Sequence, residues 1–270
     1  MDLSIIIVNY NGRKYLSDCL ESIYKMCDGI DYEIIIWDNH STDDSMRYLE
    51  DHHADRIKLF NSKENLGFAG GNNAGAKHAT GNYLLLLNND TVLLDNPSPA
   101  IDVLKNDNVG VVGIKMLGSN KAYRFSAGRF PSPIKLFKLS LLFEKRGGFK
   151  TGDFHSETPL KVDWIEGSFL LTERKVWQQL HGLDERYFMY AEDIDYCKRV
   201  NNLGLHAMYV PSISYIHHGG YSVQRQHMLK KSLHLYVDIH LNGASKIWSK
   251  LALWINFNFK NVKKAFKEIT

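Results

Sequence analysis

No apolar run in the 270 residues approaches the ~18–20 needed to cross a bilayer, so a membrane-embedded protein is not expected. The first apolar run has no basic segment before it and stops at Asn9, which does not suit a secretory signal. Cysteine is scarce: Cys19, Cys27 and Cys197 are odd in number and form no close metal-ligand pair. Reduced thiols in a cytoplasmic protein are the simplest account. Charge of either sign is barely in excess. With 33 Lys and Arg against 30 Asp and Glu, the net +3 gives no ground for nucleic-acid binding. Gly-x-Ser-x-Gly does not occur, and no Ser-His-Asp arrangement is readable. The glycines at 67, 70, 71 and 75 include no Gly-Lys-Ser/Thr and lack the dinucleotide spacing, which argues against a P-loop and a nicotinamide cofactor. Repeats and low-complexity tracts are absent.

What is present is an ordinary globular composition, 44% hydrophobic and 23% charged. Residues 3–8, 33–37, 57–60 and 83–87 are apolar runs of strand length without polar alternation, as expected of strands buried on both faces. Leu16, Leu20 and Ile23 recur at helical spacing through about Met26. Ser41 or Thr42 is placed to cap a second helix through Tyr48 and Leu49. A glycine-rich segment over 65–75 precedes a short helix ending near Thr80. Strand and helix alternating in this way predict βαβ units in a mostly parallel sheet, with the strands' C-terminal ends on one rim. Tyr10 and Asn11, Asp38 and Asn39, Asn65, and Asn88 to Asp90 all follow strands. Four polar clusters on one rim make a site, whereas one alone would be a loop. Asn88, Asn89 and Asp90 offer carbonyl and carboxylate oxygens of the kind that seat Mg²⁺ beside substrate phosphates; alone they would be a polar turn.

The second half begins with a strand over 109–114. Residues 117–160 hold Pro131, Pro133 and Pro159, Gly147 and Gly148, and several basic residues. They form either a mobile flap or a surface excursion. Two short strands are expected around Gly167, then helices over 174–180 and 192–203 and strand-like runs over 205–210 and 213–216. Glu192, Asp193 and Asp195 open the second helix. Residues advance by about 100° on a helix, so Asp193 and Asp195 face nearly opposite sides. At least two of the three complement the helix dipole; one could be a general base. His217 and His218 end a strand and point to opposite faces, so one of them at most joins a given metal. The last 45 residues are basic and rich in Trp and Phe. They suit either an anionic membrane surface or a helix packed on the domain or on a second subunit.

Together these motifs resemble family 2 glycosyltransferases, particularly their bacterial rhamnosyltransferase-like branch, over roughly residues 3–225. The segments that carry the resemblance are 4–11 (SIIIVNYN), 37–43 (WDNHSTD), 65–73 (NLGFAGGNN), 88–90 (NND), 164–168 (WIEGS), 188–195 (FMYAEDID) and 217–220 (HHGG). The resemblance implies an α/β GT-A fold, Rossmann-like, over residues 1–225. Residues 1–115 would bind the nucleotide and 116–225 the acceptor, with 226–270 a helical tail. It implies that Tyr10 stacks on a pyrimidine and Asp38 accepts its N3–H, with Asn11, Asn65, Asn73 and Asn89 completing the nucleotide pocket. Asp90 and His217 would hold Mg²⁺ or Mn²⁺. Trp164, Gly167, Ser168 and Glu192 would meet the donor and acceptor sugars, and Asp193 would be the catalytic base. Two departures stand out: the usual Asp-x-Asp is Asn88, Asn89 and Asp90 here, and Asn9 replaces a Thr or Ser.

The implied activity is inverting, metal-dependent transfer from dTDP-rhamnose or a UDP-sugar to a saccharide or lipid-linked saccharide. It would serve bacterial surface polysaccharide synthesis in the cytoplasm or at the inner face of the plasma membrane. Two competing readings are a nucleotidyltransferase and a catalytically silent sugar-nucleotide binding protein. Against the first, residues 9–13 lack a Gly-rich, Arg/Lys-bearing loop; against the second, Asp193 and His217 are both present.

Overall fold

The computed structural model describes residues 1–154, 158–219 and 223–269, without the side chains of 223–225 and 260–269. Gly220 of the predicted HHGG motif, and the side chains of the tail's Lys260, Lys263, Lys264, Phe266 and Lys267, lie outside the described residues. The first half runs β1 (Leu3–Asn9), α1 (Arg13–Met26), β2 (Tyr32–Asp38), α2 (Ser45–His53), β3 (Lys58–Asn61), α3 (Gly67–Ala76) and β4 (Tyr83–Leu87). The continuous apolar runs have a simple cause. Ile5 and Ile7 of β1 enter one hydrophobic core and Ile6 the other; Leu85 and Leu87 of β4 likewise oppose Leu84 and Leu86. Successive strand residues face opposite ways, so a strand covered on both sides is apolar throughout.

β5 (Thr91–Leu93), α4 (Ser98–Leu104), β6 (Val109–Leu117), β7 (Tyr123–Arg124), β8 (Ala127–Gly128) and α5 (Pro133–Phe137) follow. Then come β9 (Leu160–Val162), β10 (Trp164–Ile165), β11 (Phe169–Glu173), α6 (Arg174–Gln179), α7 (Glu192–Asn202), β12 (His206–His217), α8 (Val223–His240) and α9 (Gly243–Ile269). The main sheet is ordered β3-β2-β1-β4-β11-β6-β12-β5, with β7 on β6 and β9 on β12. β1, β2, β3 and β4 are mutually parallel, and β12 is parallel to β6. β11 is antiparallel to both β4 and β6, so it alone reverses direction between two parallel blocks. The C-terminal ends of β1, β2, β4 and β12 therefore share a rim with the start of β11.

Several local expectations change. α3 is the glycine segment itself, not a helix after it. A Cβ on Gly71 would sit 2.8 Å from Val8 Cγ1, so the glycine lets α3 lie close on β1. α2 starts at Ser45 behind Asp44, and neither Ser41 nor Thr42 caps it; both belong to the turn after β2. The runs over 205–216 are one strand, β12, whose register shifts between Val210 and Ser214, around Pro211. Pro cannot donate to a ladder, and a bulge accommodates it. Residues 117–160 are not a mere surface excursion, because Ala127, Leu136, Leu142 and Phe149 join the larger core. That core also takes Leu233, Tyr236 and Val237 of α8 with Ala252 and Leu253 of α9. One face of the tail is thus packed on the rest of the chain.

Candidate active site

The first-half rim is a hydrogen-bonded net. Asn9, at the end of β1, donates to Asp38 Oδ2 (2.7 Å) and to Ser41 Oγ (3.1 Å), while Ser41 N–H donates to Asp38 Oδ1 (2.8 Å). Asn89 donates to Asn9 Oδ1 at 2.8 Å. A Cβ on Gly12 would lie 2.0 Å from Asn89 Nδ2, so the missing side chain is what lets Asn89 reach across. Asn11 has φ 51°, a backbone conformation that Asn tolerates, and its Oδ1 accepts from the N–H groups of Thr42 and Asp43. Asn65 Oδ1 accepts from Asn39 Nδ2 (3.0 Å) and Gly67 N–H (2.9 Å). Tyr10 projects from this net with 52% of its surface exposed.

Two expected nucleotide groups sit differently. Asp38 is fully buried, and each of its oxygens already accepts from the net. In this structure it organises the rim rather than opening onto it. Asn73 is not on the rim. Its amide bonds Leu183 O (2.8 Å), Leu183 N–H (2.9 Å) and Glu185 (3.0 Å), stapling α3 to the turn before α7.

The second-half rim is acidic. His217, at the end of β12, has Nε2 3.2 Å from Asp90 Oδ1 and 3.2 Å from the Asn88 amide nitrogen; its Nδ1 is 3.7 Å from Glu166 Oε1. Desolvation opposes charge on His217, but the Asp90 hydrogen bond and the Glu166 carboxylate outweigh it and raise its pKa. Burial likewise opposes charge on Asp90, and the same hydrogen bond holds its carboxyl below the ordinary value. His218 faces the other way, stacked on Tyr15 at 5.3 Å and bonded to Ser119. Glu166 leads directly into Gly167, whose N–H donates to Asp193 Oδ2 at 3.0 Å. Glu166 and Gly167 thus link the Asp90–His217 pair to Asp193 on the same rim.

α7 opens on consecutive left-handed residues, Tyr190 (φ 73°) and Ala191 (φ 64°). Neither is glycine, so the backbone is strained where it presents Glu192 and Asp193. Burial raises the Asp193 carboxyl to about 6, against the hydrogen bonds it accepts from Gly167 and Ile194. Glu192 is 5% exposed with Oε2 unpartnered, and desolvation followed by the Asp193 charge raises it well above the usual range. Burial pushes Glu166 up to about 7, with the Asp193 and Asp90 charges adding to the rise and His217 opposing it. Asp195 lies on the far side of α7, buried against Arg199 (2.7 Å) and His240 (2.6 Å).

Ser168 is buried and bonded to Tyr215 Oη at 2.7 Å, so it braces the start of β11 against β12. Trp164 does not face an open cleft: it is 4% exposed and its indole N–H donates to Arg129 O. Glu166 and Tyr215 were given no role from sequence, and Asn9 none beyond its departure from the family pattern. A signal existed for Tyr215, which shares a strand face with His217 two residues on.

Asp90 and His217 supply one carboxylate and one imidazole. Among the described residues no group of three or more His, Cys, Asp or Glu is arranged to hold a metal ion. That donor set fits a Mg²⁺ or Mn²⁺ completed by substrate phosphates rather than one caged by protein. The gathering of Asp90, Glu166 and Asp193 carboxylates on this rim also favours a cation there.

The Glycosyl transferase family 2 model matches residues 4–161, more than half of the chain. Rhamnosyltransferase WbbL of Escherichia coli K12 is 25% identical over 274 residues, covering 97% of this chain and 98% of its own. The N-acetylglucosaminyl-diphospho-decaprenol L-rhamnosyltransferase of Mycobacterium tuberculosis H37Rv is 46% identical over 70 residues, 26% of this chain and 22% of its own. Among solved structures, GalNAc-T7 with UDP, GalNAc and Mn²⁺ aligns with a TM-score of 0.65 at 16% identity, covering 81% of this chain and 44% of that one. The mixed sheet and its open rim are those of a GT-A-type transferase. The chain belongs to glycosyltransferase family 2, and its relatives include rhamnosyltransferases.

Proposed function

We propose that this protein transfers a sugar, with inversion, from a pyrimidine nucleotide diphosphate sugar to a hydroxyl of a saccharide or lipid-linked saccharide. dTDP-rhamnose and UDP-sugars are the donors that fit, and bacterial surface polysaccharide synthesis, at the cytoplasmic face of the membrane, is the setting. The observation that carries the reading is the run of contacts that gathers Asp90, His217, Glu166 and Asp193 on one rim. The half-exposed Tyr10 supports stacking of a base on the neighbouring rim. The rhamnosyltransferase relatives support a deoxyhexose donor, and the mycobacterial relative's lipid-linked acceptor supports the same acceptor class here.

In the proposed reaction the ionised Asp193 takes the proton of the acceptor hydroxyl. That oxygen forms a bond to the anomeric carbon as the bond from that carbon to the phosphate oxygen breaks, and the nucleoside diphosphate leaves with the electron pair. A divalent ion held by Asp90 and His217 would neutralise charge on the diphosphate. The two hydrogen bonds on Asp193 fix its direction, and its raised pKa keeps it basic enough to accept a proton near neutral pH. Burial and the Asp193 charge push the neighbouring Glu192 carboxyl upward, which disfavours a second charge beside the base. The test is product analysis with dTDP-rhamnose and UDP-hexoses in the presence of Mn²⁺. Anomeric inversion in a glycosylated acceptor is expected. Release of pyrophosphate instead would favour a nucleotidyltransferase.

A further inference from the structure

The hairpin after β6 ends beside the Asp90–His217 pair. β6 runs parallel to β12, with Leu117 opposite Ile216, and β7 returns antiparallel on β6, with Arg124 opposite Met116. Its turn is closed by Gly118 N–H donating to Ala122 O and Lys121 N–H donating to Gly118 O, both at 2.8 Å. A Cβ on Gly118 would sit 2.6 Å from Arg124 Nε, so the bare backbone there lets the guanidinium lie across the strand end. One guanidinium nitrogen, Nη1, donates to His217 O at 3.3 Å and to Gly219 O at 3.1 Å. Among the described residues Arg124 pairs with no carboxylate; its bonds go to the backbone that leaves β12.

Gly219 is where this clamp meets the site. A Cβ there would stand 2.9 Å from His217 Nε2 and 3.5 Å from Asp90 Oδ2. The backbone at Gly219 therefore walls the space beside both groups, and a residue without a side chain leaves that space open. His218 N–H donates to Asp90 O at 2.9 Å, which ties the same segment to the turn carrying Asp90. Two carbonyls two residues apart, held on one charged nitrogen, fix the dihedrals between them, and a charged donor makes such bonds stronger than neutral ones. We propose that Arg124 is a positioning residue for the metal seat: it holds the 217–219 backbone so that His217 faces Asp90 and Gly219 leaves room for a cation and for phosphate oxygens. The proposal rests on the reading of Asp90 and His217 as metal ligands. It gives the hairpin over 117–124 a function, as a fixed support at the end of β12.

The test is calorimetry of the full chain titrated with UDP and, separately, dTDP, each with Mn²⁺ and with EDTA. The unaltered chain is expected to bind more tightly with Mn²⁺. Arg124→Ala is expected to lose about 10–100-fold of affinity in Mn²⁺, the usual cost of removing a group that orients a metal ligand, and none in EDTA. Its circular dichroism spectrum should be unchanged, because the side chain is exposed. Arg124→Lys should recover part of the loss, since both bonds come from one nitrogen and an ammonium carries three donors. Gly219→Ala should remove the Mn²⁺ enhancement by filling the seat. Three outcomes would overturn the proposal: full Mn²⁺ enhancement in Arg124→Ala, an equal loss of affinity in Mn²⁺ and EDTA, which marks a direct phosphate contact, or no recovery in Arg124→Lys. Asp90→Ala, titrated alongside, separates the two levels. If it loses the enhancement while Arg124→Ala keeps it, the metal site stands and the clamp falls; if both keep it, the metal site falls too.

Discussion

The two halves of the rim solve opposite problems. On the first-half side, Asn9, Asp38, Ser41, Asn89, Asn39 and Asn65 bond one another, so the loops are tied together by their own side chains. On the second-half side, Glu166, Glu192 and Asp193 crowd together under burial beside His217, and their pKa values rise. A satisfied network positions a ligand; a frustrated one gains most when a ligand brings positive charge or takes up a proton. The proposed reaction accordingly puts the chemistry on the acidic side and recognition on the amide side.

The largest expected effect tests the acidic side. Asp193→Asn should lower kcat by about 10²–10⁴-fold, the span of a general base, while calorimetry finds the nucleotide affinity unchanged. Near-normal turnover would dissolve the contrast between the halves. Next, Asp90→Ala should remove the Mn²⁺ enhancement of nucleotide affinity, by at least the roughly 10–100-fold that loss of an outer-shell partner costs. Unchanged affinity in Mn²⁺ would take Asp90 out of the metal site. The pH profile of kcat/KM comes third. The base works ionised, so activity should fall as pH drops through about 6, the value to which burial raises Asp193, and an acidic limb near the ordinary carboxylate range would contradict this.

The smallest effects belong to the scaffold. Burial opposes charge on Glu33, but Lys58 (2.6 Å), Ser4 (2.6 Å) and Thr80 bind its carboxylate and lower its pKa to about 2. A depressed folded-state pKa stabilises the fold above the unfolded value of 4.5 and loses that stabilisation as pH falls toward 2. Glu33→Gln should flatten that part of an acid-denaturation curve while leaving kcat at neutral pH unaltered. Gly71→Ala should cost about 1–3 kcal/mol by overpacking against Val8, read as a fall in denaturation midpoint.

The sequence made the parallel strands legible because two-sided burial forces unbroken apolar runs, and it made the polar rim legible because the runs stop at Asn9, Asp38 and Asn88. β5 was hidden by its three-residue length directly after the turn at Asn88 to Asp90. α3 was hidden because glycine and asparagine mark loops. Yet its small residues at 67, 70, 71, 74 and 75 have the spacing of a helix pressed on a sheet. Asn73 was placed in the nucleotide pocket by the family resemblance, and the helix turns it toward Leu183 and Glu185 instead. Glu166 left no local signal, since its role depends on β12 delivering His217 from 51 positions further along the chain. The tail's basic and aromatic character was plain; that one apolar face is buried and the other exposed depends on what α9 packs against.

The most direct test is anomalous diffraction from crystals grown with Mn²⁺ and either UDP or dTDP. A single manganese peak within bonding distance of Asp90 and His217, bridging the diphosphate on the Asp193 side of the cleft, is the predicted result. Nucleotide bound with its phosphates away from Asp90, or manganese elsewhere on the surface, would contradict it.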